Sequence, residues 1–290
     1  MIRDVPACFL LLLLLLLPCL VACNTKESRG KENEKPGAPV KQEPPAASAA
    51  AEQPPGDALP VGVIGKKEDK DPRELVLLCM EAMGGKKKID SIKAVSARTT
   101  IKGTYEYETR HVVRYPSELL IDYFSAGAPV KSIILDGKSA YLLAPGGITE
   151  MKDANAKGVL TSLQADTIHL LQAASGPGAD LVYLGETQVA GQEADVVNLT
   201  IPELTDIMFF IDRATRMFLG SQYVSPMGRT TVIVSDYRDV GGIMVAHRSQ
   251  VYVGGSMIVS TIDELAFNPK IPPETFLPEK HPFYKSVKER

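Results

Sequence analysis

The chain has 290 residues, 44% of them hydrophobic, and a formal net charge of -3. Near-neutrality excludes the basic excess that marks nucleic acid or an anionic membrane surface as a partner. Three of the 4 cysteines (Cys8, Cys19 and Cys23) fall within the first 23 residues, so Cys79 stands alone in the remainder. The domain is therefore expected to hold together by its core, without an intramolecular disulfide.

The chain opens on a leucine-rich run, Leu10 to Leu17, that stops at Pro18. This is the length of a secretory h-region and falls short of the roughly 20 apolar residues of a membrane span. The run leads into Leu20-Val21-Ala22-Cys23, which resembles the lipobox of bacterial lipoproteins. The resemblance implies a lipoprotein signal peptide over residues 1–22 and a lipid attached at Cys23. It also implies a bacterial cell-envelope protein held to the membrane by that lipid. Asn24 follows the cysteine, where an aspartate would mark inner-membrane retention, so the resemblance favours the outer membrane, facing the periplasm.

Residues 23–70 are rich in Pro, Ala, Lys and Glu and hold no Phe, Tyr or Trp. Stretches such as Lys35-Pro36-Gly37-Ala38-Pro39 cannot bury enough apolar area to offset chain ordering, which predicts a disordered tether. As a flexible coil it would reach on the order of 40 Å. Its charges nearly cancel, which suits a spacer better than a charged binding arm.

The folded domain is expected to span residues 71–290. Asp71 as N-cap, Pro72 at the first helical position and Gly84 beyond the end predict a helix, with Leu75, Leu78, Cys79 and Ala82 forming its apolar stripe. Cys79 then faces inward, as a buried structural thiol. From here the periodicity changes to two. Val95, Ala97, Thr99 and Ile101 alternate with polar residues, and Tyr105, Tyr107, Thr109, His111, Val113 and Tyr115 oppose Glu106, Glu108, Arg110 and Arg114. Such alternation marks antiparallel strands with one face covered. Asp136-Gly137 predicts a two-residue hairpin. Seven further strands read at about 181–188, 195–201, 207–211, 217–223, 230–237, 243–253 and 256–267, joined by short links that favour a meander. One helix interrupts, from Gly158 to Ala174, with Leu160, Leu163, Leu170 and Leu171 at helical spacing. A sheet of roughly ten strands curls or splits, so the expected fold is mainly β. Its large curved antiparallel sheet would form an incomplete barrel covered by two or more helices.

The order of several turn motifs carries a resemblance over nearly the whole domain, Asp71 to Pro278. These are Ala82-Met83-Gly84-Gly85, Tyr115-Pro116-Ser117-Glu118-Leu119 and Leu135-Asp136-Gly137-Lys138-Ser139-Ala140-Tyr141. Phe210-Ile211-Asp212-Arg213-Ala214-Thr215, Asp236-Tyr237-Arg238-Asp239-Val240-Gly241-Gly242-Ile243, Asn268-Pro269 and Phe276-Leu277-Pro278 follow. Together they resemble the LolA/LolB-like superfamily, the outer-membrane lipoprotein-sorting-like proteins. The resemblance implies an open antiparallel barrel around helices whose hydrophobic cavity takes acyl chains or lipidated partners. The family's sorting carrier is soluble, whereas this chain reads as anchored. Ala246 stands where relatives often carry a proline, and no particular residue here takes the place of the carrier's lid-locking arginine.

Catalytic and metal chemistry find no motif. His111, His169, His247 and His281 lack metal-ligand spacing, and HExxH, CxxC and Gly-x-Ser-x-Gly are absent. Asp122 and Asp236 lie on different strands and form no carboxylate pair. No enzyme activity, cofactor or metal is expected. The remaining candidate is the apolar face, with Tyr105, Tyr107, Val113, Tyr123, Leu160, Leu163 and Phe210 as hydrophobic ligand lining. The function that follows is an envelope lipoprotein binding a lipid or lipidated protein, in lipid or lipoprotein trafficking to the outer membrane. The alternative is a non-transporting scaffold or stress sensor that recognises a protein partner.

Overall fold

The computed structural model describes residues 61–62, 64–65, 69–103, 106–145 and 147–282. The leader, Cys23, the expected tether as far as residue 60, and Tyr105 lie outside the described residues. Helix α1 (Pro72–Ala82) begins where Asp71 accepts a hydrogen bond from the Arg73 amide at 2.9 Å. Its buried side is Leu75, Val76, Cys79 and Met80, continued by Met83. Leu78 is not on that stripe; it is 40% exposed, because the true seam runs one position to its side. Burial pushes the Cys79 thiol up to about 12, so it stays protonated and unreactive. Gly84 follows at φ +120, and a Cβ there would sit 2.3 Å from the Gly242 carbonyl oxygen. Only glycine lets the helix end dock on that turn.

A short helix α2 (Lys86–Ser91) comes next. Its sequence Lys-Lys-Lys-Ile-Asp-Ser offers one apolar residue, Ile89, and so no periodicity to read.

The first half of the sheet is a meander of β1 (Ala94–Lys102), β2 (Glu106–Arg114), β3 (Glu118–Ser125), β4 (Ala128–Asp136), β5 (Ala140–Ala144) and β6 (Gly147–Met151). Two helices follow, α3 (Asp153–Gln164) and α4 (Thr167–Ser175). The second meander is β7 (Asp180–Val189), β8 (Gln192–Ile201), β9 (Thr205–Asp212), β10 (Phe218–Ser225), β11 (Gly228–Asp239), β12 (Met244–Val253) and β13 (Ser256–Phe267). All neighbouring strands pair antiparallel. The 13-stranded order is β6-β5-β4-β3-β2-β1-β13-β12-β11-β10-β9-β8-β7, so β1 against β13 joins the two meanders. Register shifts at Arg98/Thr99, Tyr123/Phe124, Tyr183/Gly185 and Phe218/Gly220 bend the sheet. It curves without closing, and β6 and β7 remain as its two edges.

The hairpin at Asp136 forms one residue later than expected. Asp136 and Ser139 pair through the backbone at 3.1 Å, leaving Gly137 (φ +90) and Lys138 at the centre. The helix expected from Gly158 to Ala174 is two helices. Asp166 breaks it, its Oδ1 accepting from the amides of Ile168 and His169 at 3.1 and 3.3 Å as the N-cap of α4.

Helices cover the concave face, and two smaller apolar clusters lie on the outer face. On the concave side, α1 and α4 pack on the second meander through Cys79, Met80, Leu170, Leu171, Phe209 and Phe218. There α3 packs on the first meander through Val159 and Leu163, against Val113, Leu119, Tyr123 and Leu135. On the outer side, Phe276, 1% exposed, seats on Leu120, Ile134 and Leu143. A second outer cluster gathers Val189, Val196, Phe210, Leu219 and Ile233, with Val61 packed against it.

Val61 shows that the domain's contacts begin ahead of the expected boundary at residue 71. Val61 and Gly65 bridge to β7, with Gly62 and Gly65 amides donating to Gln188 and Glu186 carbonyls at 2.8 and 2.7 Å. Lys70 then reaches Asp195 at 2.6 Å and Glu186 at 2.9 Å. Asp195 is fully buried and also takes bonds from Tyr183 at 3.0 Å and Arg216 at 3.2 Å. Burial alone would lower the Lys70 pKa, but its bonds to Asp195 and Glu186 outweigh that and raise it. The group's contribution is complete below the ordinary lysine range and is lost only in strong alkali.

Deleting residues 24–60 is expected to leave the melting temperature unchanged. Extending the deletion through Lys70 should cost roughly 2–3 kcal/mol, or about 5–10 °C, because it bares the β7 edge and leaves a buried carboxylate with a cation short. Thermal melts of the two truncations check this. Cys79→Ser should still fold but lose about 1–3 kcal/mol, and native Cys79 should resist thiol reagents until the protein is denatured.

Candidate ligand-binding cavity

The concave surface does not fill completely. Between the α1/α4 cluster and the α3 cluster lies a cavity of about 310 Å³, roofed by Ser162, Ala165, Asp166, Thr167 and Ile168 at the joint between α3 and α4. Ligand pockets run from about 300 to 1,000 Å³, so this volume suits a small ligand or part of a long chain. Its apolar walls are Val95, Val232, Val234, Leu265 and Phe267 from the sheet, with Met83 at the end of α1. Thr99, His111, His247, Ser249 and Ser260 supply polar groups on the floor. Each sits at an inward position of the strand alternation.

One polar constellation closes the site at its edge. The Tyr115 hydroxyl donates to Asp166 Oδ1 at 2.5 Å, and the Tyr115 ring stacks on His169 with centroids 5.3 Å apart. Burial first, and then the Asp166 charge and hydrogen bond, raise the Tyr115 pKa well above the phenol range. Burial lowers the His169 and His111 pKa values, and the nearby Asp166 opposes that only in part. Both rings are therefore neutral at pH 7. Neither His169 ring nitrogen has a hydrogen-bond partner, nor does Thr99 Oγ1.

The residues expected to line a groove fall elsewhere. Tyr107 and Tyr123 form a T-shaped pair with centroids at 6.4 Å. Tyr123, Val113 and Leu163 are buried in the α3 cluster, with Leu160 packed against it. These residues come together as expected, but as a packed core; none of them lines the cavity. Phe210 is a correction: it points to the outer face, 1% exposed, while Phe209 takes the concave position. Strand alternation decides this, since Ile207, Phe209 and Ile211 share one face of β9. Tyr105 lies outside the described residues. The lining of this cavity is harder to read from sequence, because small and polar inward residues such as Thr99 and Ser260 carry no hydrophobic signal. The inward alternation of β1 and β2 did include four of its residues, Val95, Thr99, His111 and Tyr115. Among the described residues no group of His, Cys, Asp and Glu is placed to hold a metal, and no helix is long and apolar enough to cross a membrane.

No protein-family model and no curated sequence matches the chain. Solved structures do. A DUF1329 family protein from Desulfovibrio piger superposes with a TM-score of 0.51 at 12% identity, over 71% of this chain and 98% of that one. A putative outer membrane lipoprotein-sorting protein domain from Vibrio parahaemolyticus gives 0.50 at 11% identity, over 76% and 100%. A LolA superfamily protein from Nitrosomonas europaea gives 0.46 at 13%, over 68% and 96%. The first two define a shared fold: the domain has the open antiparallel half-barrel of the lipoprotein-sorting-like proteins.

The buried neutral histidines set a pH dependence. In the unfolded chain they titrate near 6.5, and in the fold lower, so the unfolded state binds more protons once the pH drops below about 6.5. Stability is complete above that value and declines as the pH falls beneath it. His169→Phe keeps the stacking on Tyr115 and removes two orphaned nitrogens. It should therefore raise the melting temperature at pH 5 more than at pH 8, which melts at the two pH values measure.

Proposed function

We propose that this protein is a lipoprotein of the bacterial cell envelope whose half-barrel holds an acyl chain of a lipid or of a lipidated protein beneath the α3–α4 joint. The observation that carries the reading is the cavity itself: a space of about 310 Å³ with apolar walls, left between two packed clusters on the concave face. Each methylene buried there contributes about 0.8 kcal/mol, so a chain with only part of its length inside still binds after association costs. The fold shared with a lipoprotein-sorting protein domain supports this assignment, and the Leu20-Val21-Ala22-Cys23 sequence supports anchoring through Cys23 at the outer membrane. The role that follows is trafficking of lipid or lipoprotein at that membrane, without catalysis.

Two measurements test the reading. Val234→Phe projects a ring into the cavity where space is already present, so it should abolish uptake of a fluorescent long-chain acyl probe while moving the melting temperature by only a few degrees. Unchanged uptake would show that the chain binds elsewhere or not at all. Cys23→Ser should remove acylation and release the chain from membranes, because stable anchoring needs more than one acyl chain. Palmitate incorporation persisting in that variant would sink the anchor assignment.

A further inference from the structure

The sheet is not continuous where β12 meets β13. Their register runs from Val253↔Ser256 to Arg248↔Thr261 and ends there. Beyond that point β12 stays with β11 as far as Met244↔Asp239, while β13 follows β1 from Ile262↔Thr99 to Phe267↔Val95. Asp263 is the extra residue of the irregularity at Arg98/Thr99, and such a bulge turns one strand away from its neighbour. The Met244 amide donates to the Met83 carbonyl at 2.9 Å, so the end of α1 closes the far end of the gap. The cavity reaches into this split. Residues 244–249 of β12 line it consecutively, where an unbroken strand would present only every second side chain.

Arg248 stands at the foot of the split, in the last residue pair before the strands part. It lines the cavity, is exposed, and makes no hydrogen bond or ion pair with a described residue. Nearby arginines are occupied: Arg98 pairs with Glu264 at 2.7 Å, and Arg238 with Asp236 at 2.6 Å. Asp236 lies within electrostatic reach of Arg248, but Arg238 takes both of its oxygens. Asp166, the one carboxylate in the lining, sits in the roof, where the Tyr115 hydroxyl and the amides of Ile168 and His169 converge on its Oδ1. Next in register to Arg248, Ser249 stands opposite Ser260. Both are half-buried, and neither hydroxyl has a hydrogen-bond partner among the described residues. A cation without a counter-charge, beside two hydroxyl donors and an apolar space, suits an anion that carries a hydrocarbon tail.

We infer that the foot of the β12–β13 split is a head-group site, where the Arg248 guanidinium holds the carboxylate or phosphate of a single-chain acyl lipid whose tail lies in the cavity. This rests on the acyl-binding reading above and narrows it to a class of ligand. The guanidinium fork takes two oxygens of either anion, and the adjacent serine hydroxyls donate to it from the cavity side.

The Cys23→Ser chain, loaded with the uncharged dye N-phenylnaphthylamine, provides the test at pH 7.5. Palmitate, palmitoyl lysophosphatidate and the uncharged monopalmitoylglycerol compete for it, each below its micellar concentration. At least one of the two anions should displace the dye at roughly ten-fold lower concentration than monopalmitoylglycerol, the scale of one charge-assisted hydrogen-bonded pair. The tighter anion tells carboxylate from phosphate. Arg248→Gln should abolish that preference while leaving monopalmitoylglycerol and the melting temperature where they were, since no bond within the fold is lost. Arg110→Gln, which removes an arginine paired with Glu108, should change none of the three. Monopalmitoylglycerol binding as tightly as both anions overturns the head-group site and leaves acyl binding standing. A preference that survives Arg248→Gln, or falls equally in Arg110→Gln, overturns the role of Arg248. Dye that binds but yields to none of the three competitors overturns acyl binding, and this inference with it.

Discussion

The structure depends on one topological constraint. Strands β6 and β7 are consecutive in the chain, yet they form opposite edges of the sheet, because β1 pairs with β13 and joins the two meanders at the middle. The connection between them must therefore cross the whole concave face. It does so as α3 and α4, and it cannot do so as one straight rod, since each helix packs on a different half of a curved floor. Asp166 supplies the break, capping α4 with the same oxygen that receives the Tyr115 hydroxyl. Where the crossing changes direction, neither cluster fills the space below, and the cavity is the result.

Much of this was legible from residue patterns. Period-two alternation from Val95 to Tyr115 and along the later strands located the sheet, because each strand buries one face against helices. Asp71, Pro72 and Gly84 bounded α1 because capping chemistry is local. The misses have equally physical causes. Helix α2 has a single apolar residue, Ile89, and stands through its neighbours: Gln172 of α4 donates to the Ile89 and Ile92 carbonyls at 2.7 and 2.9 Å. Asp166 falls inside a stretch with continuous leucine spacing, so periodicity ran over the break. Phe209-Phe210 are adjacent aromatics, and alternation sends one to each side of β9, a choice that composition cannot make.

The cavity was the least legible part. Large apolar residues at inward positions signalled a groove, yet they pack: Tyr123, Val113 and Leu163 share one buried cluster with α3, and Tyr107 meets Tyr123 edge to face. Open volume arises where inward residues are small or polar, and such residues look like lapses in a hydrophobic pattern. Thr99, Ser249 and Ser260 are those lapses, brought side by side only by the register of β1, β13 and β12. Sequence reasoning that ranks sites by hydrophobicity will locate cores before cavities.

The strip from Val61 to Lys70 has a mechanical side. Val61 and Gly65 bridge to the β7 edge, and Lys70 sits on a fully buried carboxylate. A pull from the N-terminal direction meets these in series: the bridges at Val61 and Gly65 peel first, and the load then arrives at Lys70 before any of it reaches α1. Helix α1 is also tied at its start, where Arg73 grips the Gly176 and Ala179 carbonyls at 3.0 and 3.3 Å. These contacts thus act as a strain relief, yielding at a surface strand while the helices that roof the cavity keep their places.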